Sequence, residues 1–344
     1  MDDLKVLSEM VNILAISGKE KALSTYITQL ICSMDTSDRL NITQDKHNNV
    51  TAVLPGTSQE TVMLDAHLDQ IGFVLSSITK EGMLVCYRIG GVSLAAVEAR
   101  EMVVLTKNGP VPCVTDRKHM HFIEEEKDEL PKKTFNIVFD IGCKTKEEAE
   151  ALVEVGDYIG YKPTFGKLAN NRVFGTALDD KIGCIIVLKV LEFFLETKQT
   201  PTKTLIFSFS GQEETGITRL KPLIRKFQPN KLLEFDVTFA TDYDRVDEKE
   251  AGPCNLGDGL VVYVGNLSDV NMKERLFQHA KELGLKLQKQ VINGAGGYNS
   301  DAVYELGMDV TVIGIPLRNM HSPVEICSMD DIDSGVKIIT KLFY

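Results

Sequence analysis

Hydrophobic positions recur along this chain with two different periods, and the period changes twice. Leu4, Leu7, Met10, Val11 and Leu14 fall at helical spacing and predict a first helix, with a second running from Ser17-Gly18 to about Met34. Ser17, with Glu20 three residues on, reads as a capping box for that second helix. Short β-prone runs follow at 40–43, 49–54 and 61–66. From about 70 to 164 the texture is strand-like throughout, with runs at 72–76, 83–89, 102–107 and 110–114. Turns at Lys80-Glu81-Gly82, Gly90-Gly91 and Asn108-Gly109 separate them, the last a hairpin signal. Helical spacing is nearly absent there outside 145–153. After Asn170 strands and helices alternate: helix 180–196, a strand from Leu205 to Gly211, helix 217–227, strands 236–241 and 260–264, helix 271–283, strand 310–315 and helix 330–342. The order predicts an α/β fold, a mixed sheet flanked by helices, carrying an inserted mostly-β domain. Residues 1–69 and 165–344 then form one discontinuous domain and 70–164 the insertion.

Composition narrows the partners. The 344 residues are 43% apolar and 25% charged, an ordinary globular profile. No apolar run is long enough to span a bilayer. Met1-Asp2-Asp3-Leu4-Lys5 has neither the basic region nor the apolar core of a signal peptide. The net charge of −11 and the lack of a basic block argue against a nucleic-acid partner. Seven scattered cysteines without a CxxC argue against a disulfide framework or a cysteine zinc site, and for a reducing cytoplasm.

The chemistry-bearing residues gather at predicted strand ends, where ligands sit in open α/β sheets. The apolar run Leu205-Ile206-Phe207-Ser208-Phe209-Ser210 stops at Gly211, and Glu213-Glu214 follow. Alone, that pair reads more readily as the acidic first turn of a solvated helix. His67-Leu68-Asp69 ends another run, with His67 and Asp69 spaced to face the same way, so that Asp69 can fix the imidazole tautomer. Asp179-Asp180 open a long apolar helix; one is an ordinary cap, two suggest a crowded site in which one carboxylate bridges two cations. Asp242 follows a further strand, and His321 lies in a loop before Pro323. Each signal is weak alone. Together they form a His, Asp, Glu, Asp, His set with one Glu left over as a base, the inventory of a dinuclear hydrolase. Mixed His and carboxylate ligands suit zinc, cobalt or manganese.

The ordered motifs Ala66-His67-Leu68-Asp69, Thr176-Ala177-Leu178-Asp179-Asp180, Gln212-Glu213-Glu214-Thr215-Gly216, Asp242 and Met320-His321-Ser322-Pro323-Val324-Glu325 resemble those of the tetrahedral (TET) aminopeptidases. These are dinuclear metallopeptidases, often mislabelled as endoglucanases. The resemblance runs the length of the chain, through Asp140-Ile141-Gly142-Cys143 and Gly156-Asp157-Tyr158. It implies a zinc-peptidase-like catalytic domain and two divalent ions per subunit, zinc before cobalt or manganese. Asp179 would bridge the ions, His67 and Asp242 would complete one site, and Glu214 and His321 the other. Glu213 would be the general base and Asp69 would orient His67. The insertion would be a dimerisation domain, with homodimers assembling to a homododecamer. Three positions depart from the family pattern: Gln70 replaces an acid after HxD, Lys181 a common Arg, and Thr-Asp-Tyr around Asp242 the usual Val-Asp-Val. His119 and His121 fall in the insertion, where the family often has Pro-Pro-His, and read as residues of an exposed loop.

The expected reaction is removal of N-terminal residues from short peptides in the cytoplasm, with a metal-bridged water as nucleophile and Glu213 as its base. A glycosidase would need two carboxylates and no metal. A carboxypeptidase or metal-dependent amide deacylase would share the ligands but accept a blocked N-terminus. A non-catalytic subunit would take up no metal.

Overall fold

The chain is described by a computed structural model covering residues 1–117, 137–216, 218–244, 246, 248–265, 269–292, 298 and 306–344. It opens with α1 (Asp3–Val11), capped by Asp2 through the Lys5 N–H, and α2 (Lys21–Met34). The capping box expected at Ser17 does not form, because Glu20 is itself the N-cap residue of α2. The Glu20 carboxylate accepts from Gly18 N–H at 2.6 Å, and the Ser17 hydroxyl lies 3.3 Å from that of Thr215.

After β1 (Asn41–Gln44), β2 (Val50–Leu54) and β3 (Thr61–His67), the chain builds a closed six-stranded barrel. Its strands are β4 (Gly72–Ile78), β5 (Leu84–Ile89), β6 (Glu101–Thr106), β7 (Gly109–Thr115), β8 (Phe139–Asp140) and β9 (Tyr158–Tyr161), with α3 (Lys146–Glu150) alongside. The barrel order is β4-β5-β8-β7-β6-β9. Phe73, Leu75, Leu84, Cys86, Met102, Val104, Cys113, Phe139 and Ile159 fill its core. Most fall on alternate positions of their strands, as a half-buried strand requires.

The chain then returns through β10 (Phe165–Leu168), β11 (Arg172–Gly175), α4 (Leu178–Glu196), β12 (Thr204–Ser210), α5 (Leu220–Phe227), β13 (Lys231–Phe239) and α6 (Glu248–Ala251). It ends with β14 (Val261–Gly265), α7 (Val270–Leu283), β15 (Gln288–Ile292), β16 (Asp309–Leu317), β17 (Glu325–Ser328) and α8 (Met329–Lys341). Eight strands form one mixed sheet in the order β1-β2-β12-β3-β13-β16-β14-β15, and β10-β11-β17 form a small antiparallel one.

Period-2 alternation gives the large sheet two apolar faces. Val62, Leu64, Leu205, Phe207, Leu233, Phe235 and Ile313 pack against α1, α2, α4, α7 and α8. Met63, Ile206, Leu232, Val310 and Val312 pack against Leu220, Leu223 and Ile224 of α5. Helix α4 is apolar on every side because it lies between the sheet, α1 and α8. Each fully buried Leu, Ile or Phe contributes about 1.5–3 kcal/mol, so α4 is the element the domain can least lose.

The strand expected at 236–241 runs instead from Lys231 to Phe239. It pairs with β16 along all of its residues and with β3 in the register Glu234↔Asp65. Two residues further on, Asp236 stands level with His67, the last residue of β3. β13 therefore overshoots the end of its neighbour and carries Asp236 within the strand.

Candidate metal centre

The centre forms where β3, β12 and β13 run out beneath the start of α4. His67 ends β3, buried, with Nε2 at 3.1 Å from Asp179 Oδ1 and 3.8 Å from Asp236 Oδ1. Its Nδ1 is 3.0 Å from the backbone carbonyl of Asp69 and 3.7 Å from the Asp69 carboxylate. The peptide oxygen, rather than the side chain, therefore takes the closer place at Nδ1 and leaves Nε2 facing the acids. The Asp69 carboxylate binds elsewhere: Oδ1 accepts from Glu213 N–H at 3.0 Å and Oδ2 from Glu214 N–H at 3.1 Å. It clamps the turn on which both glutamates stand.

Asp179 lies at the irregular start of α4, where it and Asp180 depart from helical φ/ψ. Its two oxygens face two histidines: Oδ1 faces His67, and Oδ2 is 3.3 Å from His321 Nε2. His321 Nε2 is also 3.4 Å from Glu214 Oε2. His321 has φ +60 and is oriented by a backbone hydrogen bond at Gly91, in the loop after β5. A Cβ at Gly91 would come within 2.6 Å of the His321 ring, and one at Gly90 within 3.1 Å of Glu214 Oε2. The barrel's loop thus approaches the centre so closely that only glycine fits. The Asp180 oxygens are taken by Gly183 N–H at 3.0 Å and His67 N–H at 3.3 Å.

Two groups of donors fall close enough to share a cation: His67, Asp180 and Asp236, and Asp179, Glu214 and His321. Asp242 belongs to neither. Arg318 grips its carboxylate with Nε at 2.9 Å and Nη2 at 2.7 Å, Leu256 N–H donates to it at 3.3 Å, and Arg172 stands 3.7 Å away. Tyr243 packs its ring beneath the Arg318 guanidinium. The structure thus does not bring Asp242 to the centre: its charge is committed to an arginine clamp, and it is Asp236 that lies beside His67. Asp236 does carry a sequence signal, as an acid on the same face as Glu234 within an apolar strand. His119 and His121 lie outside the described residues.

Buried acids crowd this centre. Burial pushes Asp180, Glu214, Asp236 and Glu325 well above the usual carboxylate range, in each case reinforced by the charge of Asp179. Burial also pushes Glu213 up to about 7. Burial favours neutral His67, but hydrogen bonds to Asp179 and Asp69 outweigh it and raise the imidazole. Burial would raise Asp179 as well, yet hydrogen bonds from His321 and His67 hold it below the carboxylate range. A small cavity lies against Asp179, Glu214, His321 and Tyr161, whose buried hydroxyl has no hydrogen-bond partner among the described residues. The donor set, the crowded acids and this orphaned hydroxyl all fit a site built around positive charge. Two of the departures from the family pattern meet each other: Lys181 Nζ donates to Gln70 Oε1 at 2.7 Å and to Ile13 O at 3.2 Å. Burial lowers Lys181 to about 7, so a neutral amide suffices as its partner.

A family model described as M42 glutamyl aminopeptidase matches residues 48–338. A lysyl aminopeptidase of Pyrococcus furiosus is 28% identical over 99% of this chain and 97% of its own. A TET aminopeptidase structure from a marine sediment Thaumarchaeota archaeon superposes with a TM-score of 0.91 at 24% identity, covering 99% of this chain and 95% of that one. The Pyrococcus horikoshii TET1 peptidase, which can assemble into a tetrahedron or a large octahedral shell, superposes with a TM-score of 0.85 at 25% identity, covering 100% and 99%.

Proposed function

Because this chain belongs to the M42 glutamyl aminopeptidase family and is a peptide hydrolase, we propose that it removes N-terminal residues from short peptides, with Asp179 among the residues that would hold two divalent cations. The observation that carries the reading is the splayed Asp179 carboxylate, each oxygen facing the Nε2 of a different histidine. His67 and Asp236 complete one site; Glu214 and His321 complete the other. Zinc, cobalt or manganese suits these ligands. Bound there, such cations would supply Lewis acidity and would lower the pKa of a water toward neutral. Glu213 takes the proton from the attacking water and returns it to the leaving amine nitrogen. Asp69 holds Glu213 and Glu214 on one fixed turn, so that the first faces the water and the second the cation.

The reading is tested with free and N-acetylated aminoacyl chromogenic substrates, each with and without chelator. Cleavage of free substrates only, abolished by chelation and restored by Zn2+, Co2+ or Mn2+, is the expected result. Activity that survives chelation points instead to a glycosidase-type pair of carboxylates, and preference for the blocked substrates to an amide deacylase.

A linked outcome concerns pH. Asp180, Glu213, Glu214, Asp236, Glu325 and His67 have raised folded values, so their contribution to the stability of the chelated protein is greatest at acid pH. That contribution is lost as pH rises through the folded values, about 7 for Glu213. Ligands must be deprotonated to bind metal, so loading at pH 7 releases protons. We expect the Tm of chelated protein to fall between pH 5 and 8 in calorimetry, and the gap to loaded protein to widen; parallel curves would contradict the cluster as drawn.

We also propose a homo-oligomer assembled through the barrel into a dimer and a larger shell. Tyr87 on β5 and Val114 on β7 are 65% and 52% exposed, apolar surface that a second copy would cover. Among the described residues no helix is long and apolar enough to cross a membrane.

A further inference from the structure

We propose that Glu325 is the positioning residue of the second cation site, holding the backbones of two ligands, Asp179 and His321, in one carboxylate. The proposal rests on the two-cation reading above. Glu325 opens β17 and pairs with Gly175, the last residue of β11, which places it under the turn leading into α4. It is buried, with Oε2 accepting from Asp179 N–H at 3.1 Å and Oε1 from His321 N–H at 2.9 Å. The Leu178 N–H also hydrogen-bonds this carboxylate. Both oxygens are committed to backbone donors, so Glu325 acts on the cations through its neighbours.

The two segments it joins have little regular structure of their own at these points. Asp179 lies in the non-helical start of α4, and His321 sits at φ +60 in the loop between β16 and β17. On the other side the Thr176 hydroxyl donates to Pro323 O at 2.9 Å and draws the same segments together. His67 and Asp236 stand on β3 and β13, in the large sheet, and owe their places to strand pairing instead.

The partners also explain why a carboxylate is needed. Its three hydrogen-bond partners are all backbone N–H donors, and an ionised carboxylate presents only acceptors. Glutamine has the same shape but one acceptor, so its NH2 must face an N–H, and one ligand backbone is released. A side chain that served only packing would need no charge here, since a buried charge is costly.

The test titrates Co2+ calorimetrically into chelator-treated wild-type, Glu325→Gln, His321→Ala and double-variant protein, with circular dichroism to confirm the fold. Replacing groups that orient metal ligands typically lowers affinity about 10- to 100-fold. Glu325→Gln is expected to weaken one of the two Co2+ phases by that factor while the other is retained. His321→Ala removes a ligand of that site, so in its background the same substitution should leave the remaining Co2+ phase little changed. Two phases at wild-type affinity in Glu325→Gln, or equal weakening of both, would overturn the proposal and leave the two-cation reading intact. Fewer than two Co2+ in the wild type would overturn both. Should Glu325→Gln fail to fold, Thr176→Val, which releases the opposite tie between the same segments, is expected to weaken the same phase, and an unchanged isotherm counts against the proposal.

Discussion

Glu213→Gln is expected to bind both cations as the wild type does and to turn over peptide more slowly by about 10²- to 10⁴-fold, the usual contribution of a positioned general base. The turn itself should survive, because Asp69 holds it through the backbone N–H groups of residues 213 and 214, at 3.0 and 3.1 Å. Only the ability to accept a proton is lost. In the cation-free centre burial pushes Glu213 up to about 7, reinforced by the charges of Asp179 and Asp69; adjacent cations would draw it down, and a base whose value lies near the operating pH both takes and returns a proton. The base form is the active one, so wild-type kcat/KM should fall as pH drops below the operative pKa, and the variant's residual rate should lose that acid limb. Glu214→Gln, one residue on, should instead lose a cation, since Glu214 Oε2 lies 3.4 Å from His321 Nε2. Stopped-flow turnover with metal analysis of the same samples separates the two. Near wild-type turnover in Glu213→Gln would remove this residue from the mechanism.

The parts of the centre that are readable in the sequence are those in which local pattern and site coincide. His67 ends an apolar run, and the Glu213-Glu214 pair follows one across a glycine, so strand and site residue share a few positions. The same holds for the alternation that builds the two faces of the sheet. What stays hidden depends on contacts between distant segments. Gly91 and His321 are brought together only because the barrel leans its β5 loop over the centre. Closing that barrel pairs Phe73 with Ile159, a contact no local window contains. Glu325 is visible as part of a motif, but what it holds depends on the β11–β17 pairing. Ser17 fails as a cap because the Glu20 side chain turns back to Gly18, an outcome two residues of propensity cannot distinguish from a capping box.

The largest difference between expected and observed placement, Asp236 rather than Asp242 beside His67, leads to the second large effect. Asp236→Asn should leave one cation per chain and no measurable turnover, while Asp242→Asn should keep two cations and most of the activity. The hydrophobic pattern begins a strand at Asp236 and points to a ligand beyond its end. The acids at 234 and 236 interrupt the apolar run, so the pattern starts the strand late. In the structure β13 begins at Lys231 and follows β16 to Phe239, carrying Asp236 to the level of His67 and Asp242 six residues past it. The 3.8 Å between His67 Nε2 and Asp236 Oδ1 is too long for a hydrogen bond but suits two ligands of one ion. Two arms of about 2.1 Å at a tetrahedral angle end about 3.4 Å apart, so a small shift closes the site. Asp242 has no such freedom, with Arg318 bonded to both of its oxygens. Its replacement by Asn weakens a charged bidentate pair, for which a loss of about 1.5–3 kcal/mol in stability is expected, with no change in cation count. Metal analysis and thermal unfolding of the two variants decide the matter. One cation in Asp242→Asn with two in Asp236→Asn would restore the strand-end reading, and would require the chain beyond β13 to fold back over His67 rather than turn toward Arg318.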